Sequence, residues 1–112
     1  MIPKTNRLLK EKNFKRVAKN GKYFFGRTLV LKVIKSPLTV TRLAIIVSAK
    51  VSKKAVERNK IKRRLREVIR LNLPNLKKGF DVMILVKPLA KEKNSAELSQ
   101  ILEELFKKAN LC

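Results

Sequence analysis

Twenty-nine lysines and arginines stand against eight aspartates and glutamates in a chain of 112 residues, a formal charge of +21. A domain folded around that charge repels itself and loses stability for it, so a polyanionic partner is the reason to keep it. Apolar residues make up 45% of the chain, enough to build a core, so the charge does not force disorder. The length suits one domain spanning residues 1–112, with a single small core. Nucleic acid is the first candidate partner and an anionic membrane surface the second. The membrane fails on length, because no apolar run approaches the roughly 20 residues that cross a bilayer. Met1–Lys10 also carries charge where a signal peptide would be apolar, so the expected location is the cytoplasm.

Side-chain catalysis has little to work with. The chain has no His, the commonest general base, and its one Cys is the last residue, Cys112. A disulfide within the chain and a cysteine-based zinc site are both excluded. The carboxylates are scattered. If the chain belongs to an enzyme, another molecule supplies the reacting groups, and no metal site is expected in the protein.

No repeat or Gly/Ser linker divides the chain. Phe14, Val17 and Ala18 share a face of a helix predicted over Lys10–Lys19, stopped at Asn20-Gly21 by the conformational freedom of Gly. Alternation predicts strands over Thr28–Lys35, Leu43–Ala49 and Gly79–Lys87. The first two are close enough to pair as a hairpin. A long helix is predicted over Lys53–Asn72 and a last one over Ser95–Ala109, with Ser95 as N-cap and Leu98, Ile101, Leu102, Leu105 and Phe106 as its apolar stripe. This order predicts an α+β sandwich: one mixed sheet of about four strands, with helices packed mainly on one face.

The long helix carries the sharpest functional signal. Ile61, Leu65, Val68 and Ile69 form its apolar stripe, and Lys62, Arg66 and Arg70 recur at i+4 steps beside it, with Asn59 and Arg63 on the same side. Arg58 lies at the boundary. Like charges at this spacing destabilise a helix by a few tenths of a kcal/mol each. A solvated basic face is the ordinary reading of such a row. Here only Glu57 and Glu67 could neutralise it, so phosphate recognition is the better reading, since guanidinium forks bind phosphate bidentately and stack on bases.

A helix-turn-helix regulator could carry such a helix, but it would need a dimer segment that is not visible. The string Arg58-Asn59-x-x-Lys62-Arg63-x-x-Arg66 instead resembles the signature of the bacterial ribonuclease P protein family. Its setting is similar too. Arg42-Leu43 opens a strand that runs to Val47-Ser48-Ala49-Lys50, Lys53-Lys54-Ala55 precedes the motif, and Gly79-Phe80-Asp81 opens a strand ending at Lys87. Arg7-Leu8, Phe14, Val17 and Gly21 resemble the family's first helix. The likeness covers roughly residues 7–106.

That resemblance implies an α+β fold like a domain of a small-subunit ribosomal protein, with a left-handed β-α-β crossover around the motif helix. It implies a catalytic RNA as partner, precursor tRNA as substrate, and Mg²⁺, held mainly by the RNA, for the chemistry. No further protein partner is expected. Lys53, Lys54, Arg58, Asn59, Lys62, Arg63 and Arg66 would contact the catalytic RNA. Phe14, Lys32, Ile46, Ser48, Leu85 and Lys87 would line a cleft for the single-stranded 5′ leader. The alternation supports such a cleft, because Val30, Ile46 and Leu85 give an apolar floor with basic margins. The chain departs from the family at Ala18 and Lys32, where aromatics are common, at Ala44, where Gly is usual, and at Ala49, where a basic residue is usual. The cleft should therefore stack bases less and hold phosphates more. A structural ribosomal protein is the rival reading, separable by which RNA copurifies.

Overall fold

The computed structural model describes residues 2–112. Its elements are α1 (Glu11–Asn20), β1 (Lys22–Phe25), β2 (Leu29–Lys35), β3 (Arg42–Ile46), α2 (Ala55–Asn72), β4 (Phe80–Val86) and α3 (Ser95–Lys108), with short 3₁₀ turns between. The four strands form one mixed sheet in the order β1-β2-β4-β3. The predicted α+β class holds.

The expected hairpin of β2 with β3 does not form. β4 lies between them, antiparallel to β2 and parallel to β3. The reason is visible in its composition: after Asp81 the run VMILV is apolar on both faces, and such a strand is most stable in the middle of a sheet. The hairpin partner of β2 is β1, with Tyr23 opposite Lys32 and Phe25 opposite Val30. The run KYFF, which forms β1, lies outside the strands that alternation predicts. β3 and β4 are joined through α2, the crossover unit the resemblance implied. β3 is left at the edge, where Leu8 N–H donates to Leu43 O at 2.9 Å and extends the sheet by one bridge.

Two of the three helices pack on one face, as expected, and the third covers part of the other. Ile61, Leu65, Val68 and Ile69 of α2 and Leu98, Leu102, Leu105 and Phe106 of α3 pack on Leu29, Leu31, Val82 and Ile84 to make the main core. α1 lies across the opposite face through Val17, which is fully buried. As a result β2 is buried on both sides from Leu29 to Val33.

Two local expectations also shift. Asn94, not Ser95, caps α3: its side chain accepts from Glu97 N–H, and the Glu97 carboxylate accepts in return from Asn94 N–H. Gly21 ends α1 for want of space rather than for a left-handed turn. Its φ is −69°, but a Cβ there would stand 2.5 Å from Val17 O and 2.8 Å from Lys32 Cγ. Gly79 does need its freedom, entering β4 at φ 87°.

Candidate nucleic-acid interface

The apolar stripe of α2 is committed to the core, and this fixes where its other residues point. Asn59, Arg63 and Arg66 are exposed, Lys62 is half-buried, and Lys53 and Lys54 are exposed just before the helix. No acidic side chain among the described residues pairs with any of these. Three other α2 arginines are engaged within the protein. Arg58 Nη1 donates to Ser52 O at 2.9 Å and holds the loop that enters the helix. Arg64 Nη1 donates to Lys93 O at 3.1 Å, and Arg70 pairs with Glu67 one turn earlier. The Arg70 hydrogen bond lowers the Glu67 carboxyl below its usual range.

The residues assigned to the leader cleft separate into two groups. Ile46 and Leu85 are neighbours in register on the α1 side of the sheet, and Val30 lies next to Leu85. Phe14 is half-buried on α1, and Ser48 and Lys87 are exposed just past the ends of β3 and β4. Lys32 does not join them. It is 7% exposed beneath α1, and its ammonium donates to Ala18 O, near the C-terminal end of that helix, and to the Tyr23 hydroxyl at 3.0 Å. A cation at that end satisfies an orphan carbonyl and opposes the helix dipole, so Lys32 works as a clamp on α1.

A second inward-facing group sits at the start of β4. Asp81 is fully buried and bridges α1 to β3: Arg16 binds one carboxylate oxygen, and Arg42 binds both, through Nε at 2.8 Å and Nη2 at 2.7 Å. The hydrogen bond to Asp81 raises the Arg42 pKa above its usual value.

What the sequence could not show is that the two assigned surfaces meet. A groove of about 200 Å³ at the β3 edge is lined by Phe14, Ala44 and Ile46 on one side and by Lys62 and Arg66 on the other. The sequence reading also missed Tyr23 and Phe25. Their rings stack at 5.2 Å with 16° between planes, exposed on the edge strand. A short aromatic run between Gly21 and Gly26 was the available signal. Among the described residues, no three or more His, Cys, Asp or Glu side chains come together as a metal-binding group.

These features define a class: a small α+β domain that turns an unneutralised cationic helix flank and a half-apolar groove to one sheet edge. The chain belongs to the ribonuclease P protein family, which it matches over residues 2–110. It is similar to the ribonuclease P protein component of a Pseudanabaena species, 39% identical over 112 residues, 99% of this chain and 97% of that one. The Clostridium acetobutylicum protein component is 40% identical over 110 residues, covering 96% and 92%. Among solved structures, a Staphylococcus aureus RNase P protein mutant described as defective in mRNA degradation superposes with a TM-score of 0.90 at 29% identity, covering 97% of this chain and 92% of that one. The Thermotoga maritima RNase P protein gives 0.83 at 29%, covering 91% and 96%. Family membership ties the chain to ribonuclease P, the tRNA-processing endoribonuclease.

Proposed function

We propose that this chain is the non-catalytic protein subunit of a ribonuclease P holoenzyme in the cytoplasm. It binds the catalytic RNA through Lys53, Lys54, Asn59, Lys62, Arg63 and Arg66, and the 5′ leader of precursor tRNA through Phe14, Ile46, Ser48, Leu85 and Lys87. The groove shared by Lys62 and Arg66 with Phe14 and Ile46 carries the reading. Cations on one wall suit a phosphate backbone and apolar side chains on the other suit bases, so one site serves a flexible strand held beside a structured RNA. Arg58 supports the site from behind through Ser52. Mg²⁺ would be held by the RNA. The protein would screen phosphate repulsion between the two RNAs, raising substrate affinity and lowering the Mg²⁺ required.

The test is cleavage of precursor tRNA by cognate catalytic RNA at low Mg²⁺, with and without this protein. Stimulation is expected, and the protein stripped of RNA should not cleave. Binding then separates the two surfaces. Lys87→Ala should leave assembly with the catalytic RNA intact and weaken precursor tRNA, with little effect on mature tRNA, which lacks the leader. Equal weakening of both tRNAs would mean that the cleft is misplaced.

A further inference from the structure

The strand register continues the α1 side of the sheet beyond the groove. One row of side chains runs Ile46, Leu85, Val30, Phe25, and the next runs Ala44, Met83, Lys32, Tyr23. The floor near the groove is aliphatic, with Phe14 its only ring. At the β1 end it becomes aromatic. Phe25 is 64% exposed and Tyr23 45%, and their rings lie nearly parallel. Three strand spacings of about 4.8 Å separate Ile46 from Phe25, a distance a few nucleotides would bridge.

The pair is held in place from below. The Lys32 ammonium lies 4.3 Å from the Tyr23 ring centroid while it clamps the end of α1, and Phe25 stacks on Tyr23. Rings fixed in this way lose little freedom when a ligand stacks on them. Their surroundings are cationic. Lys22 and Arg27 flank the pair, and no Asp or Glu occurs between Lys12 and Val56. The hollow beside Phe25 sets one carboxylate, Glu104, against Arg27, Lys93 and Lys108. Two rings offer at most about 500 Å², short of the roughly 800 Å² that each partner buries in a stable protein interface. Flat exposed rings among unneutralised cations fit the bases and phosphates of a single strand.

We propose that Tyr23 and Phe25 form a base-stacking platform for single-stranded RNA at the β1 end of this face. The proposal rests on the leader reading above for the source of the strand, which the platform would grip beyond the nucleotides in the groove.

Tyr23 is the only Tyr and the chain has no Trp, so intrinsic emission reports on this ring alone. The full chain is titrated with an eight-nucleotide oligoadenylate and with an abasic ribose-phosphate oligomer of equal charge. Saturable quenching by the first and much weaker quenching by the second are expected. Phe25→Ala and Phe25→Leu should each weaken oligoadenylate binding by roughly ten-fold or more, and Phe25→Tyr should restore it. In the holoenzyme, Phe25→Ala should weaken precursor tRNA with a long leader and spare mature tRNA. Equal quenching by the abasic oligomer overturns the platform, as does a Phe25→Ala affinity for oligoadenylate unchanged from wild type while Lys87→Ala still weakens precursor tRNA. Loss of oligoadenylate binding with unchanged precursor binding supports the platform and overturns the leader as its source. A dimer of the free protein that Phe25→Ala converts to monomer would make the pair a contact between copies and sink the proposal.

Discussion

The outward-facing arginines of α2, Arg63 and Arg66, and the cations around α1 have opposite fates. On α2, Arg63 and Arg66 face outward with no acidic partner among the described residues, beside an apolar stripe buried in the core. Around α1, Arg16 and Arg42 close on a buried Asp81, and Lys32 is spent on Ala18 and Tyr23. The +21 is therefore not one uniform field. Part of it is held ready for a polyanion, and part fastens a helix to the sheet. The difference is burial. A cation enclosed by protein must find an acceptor there, while one left in water keeps its charge available.

The most damaging change should be Asp81→Ala. It leaves two partly enclosed guanidinium groups facing each other and frees α1 from β3. A loss of about 3 kcal/mol is expected, read from the urea midpoint. A loss below about 1 kcal/mol would make Arg16 and Arg42 as idle in the fold as Arg63, and the contrast would collapse.

Arg63→Ala and Arg66→Ala should do the reverse. Stability should stay within about 0.5 kcal/mol of the parent. Affinity for the catalytic RNA should fall by about 1–3 kcal/mol each, and the salt slope of binding should shrink by roughly one unit for each phosphate left without its cation. Unchanged RNA affinity in both variants would return this flank to an ordinary solvated face.

Lys32→Met sharpens the comparison, because it removes a charge without removing an exposed one. We expect about 1 kcal/mol less stability, since Ala18 O can partly rehydrate at the helix end. The salt slope for the catalytic RNA should not move. A reduced slope would show that Lys32 binds phosphate despite its burial.

Glu57→Gln should have the smallest effect. Glu57 pairs with Lys91 at 3.3 Å, and that hydrogen bond lowers its carboxyl below the usual range. A group whose pKa is lowered by folding contributes stability above its unfolded pKa and loses it as pH falls through the folded value. The variant should therefore melt slightly lower at neutral pH and coincide with the parent in acid. Melting curves that stay parallel down to low pH would assign the difference to packing instead.

Much of the chain could be read one element at a time. The stripe Ile61, Leu65, Val68 and Ile69 is buried as its spacing requires, and Val82, Ile84 and Val86 face the core as their alternation requires. The outward row of α2 follows from the same periodicity, because a helix that buries one flank exposes the other. Even the Asn94 cap was available, since Asn-x-x-Glu fits there and Ser95 lacks an acid three residues on.

The tertiary structure alone decided which strand is the neighbour of which, and with it the fate of individual side chains. Thr28–Lys35 and Leu43–Ala49 alternate equally well whether they pair or stand apart. Only the insertion of β4 separates them, and that choice is made by packing between segments distant in sequence. Lys32 alternates like a cleft residue, yet α1 closes over it and takes its charge. Tyr23 and Phe25 occupy a four-residue strand too short to announce itself, and they share a face with Leu85 only because β2 lies between. Periodicity is a property of the local chain, so the sequence determined which face of each element is buried. What covers that face, and whether a cation beneath it is free or bound, depends on packing between elements that no local pattern encodes.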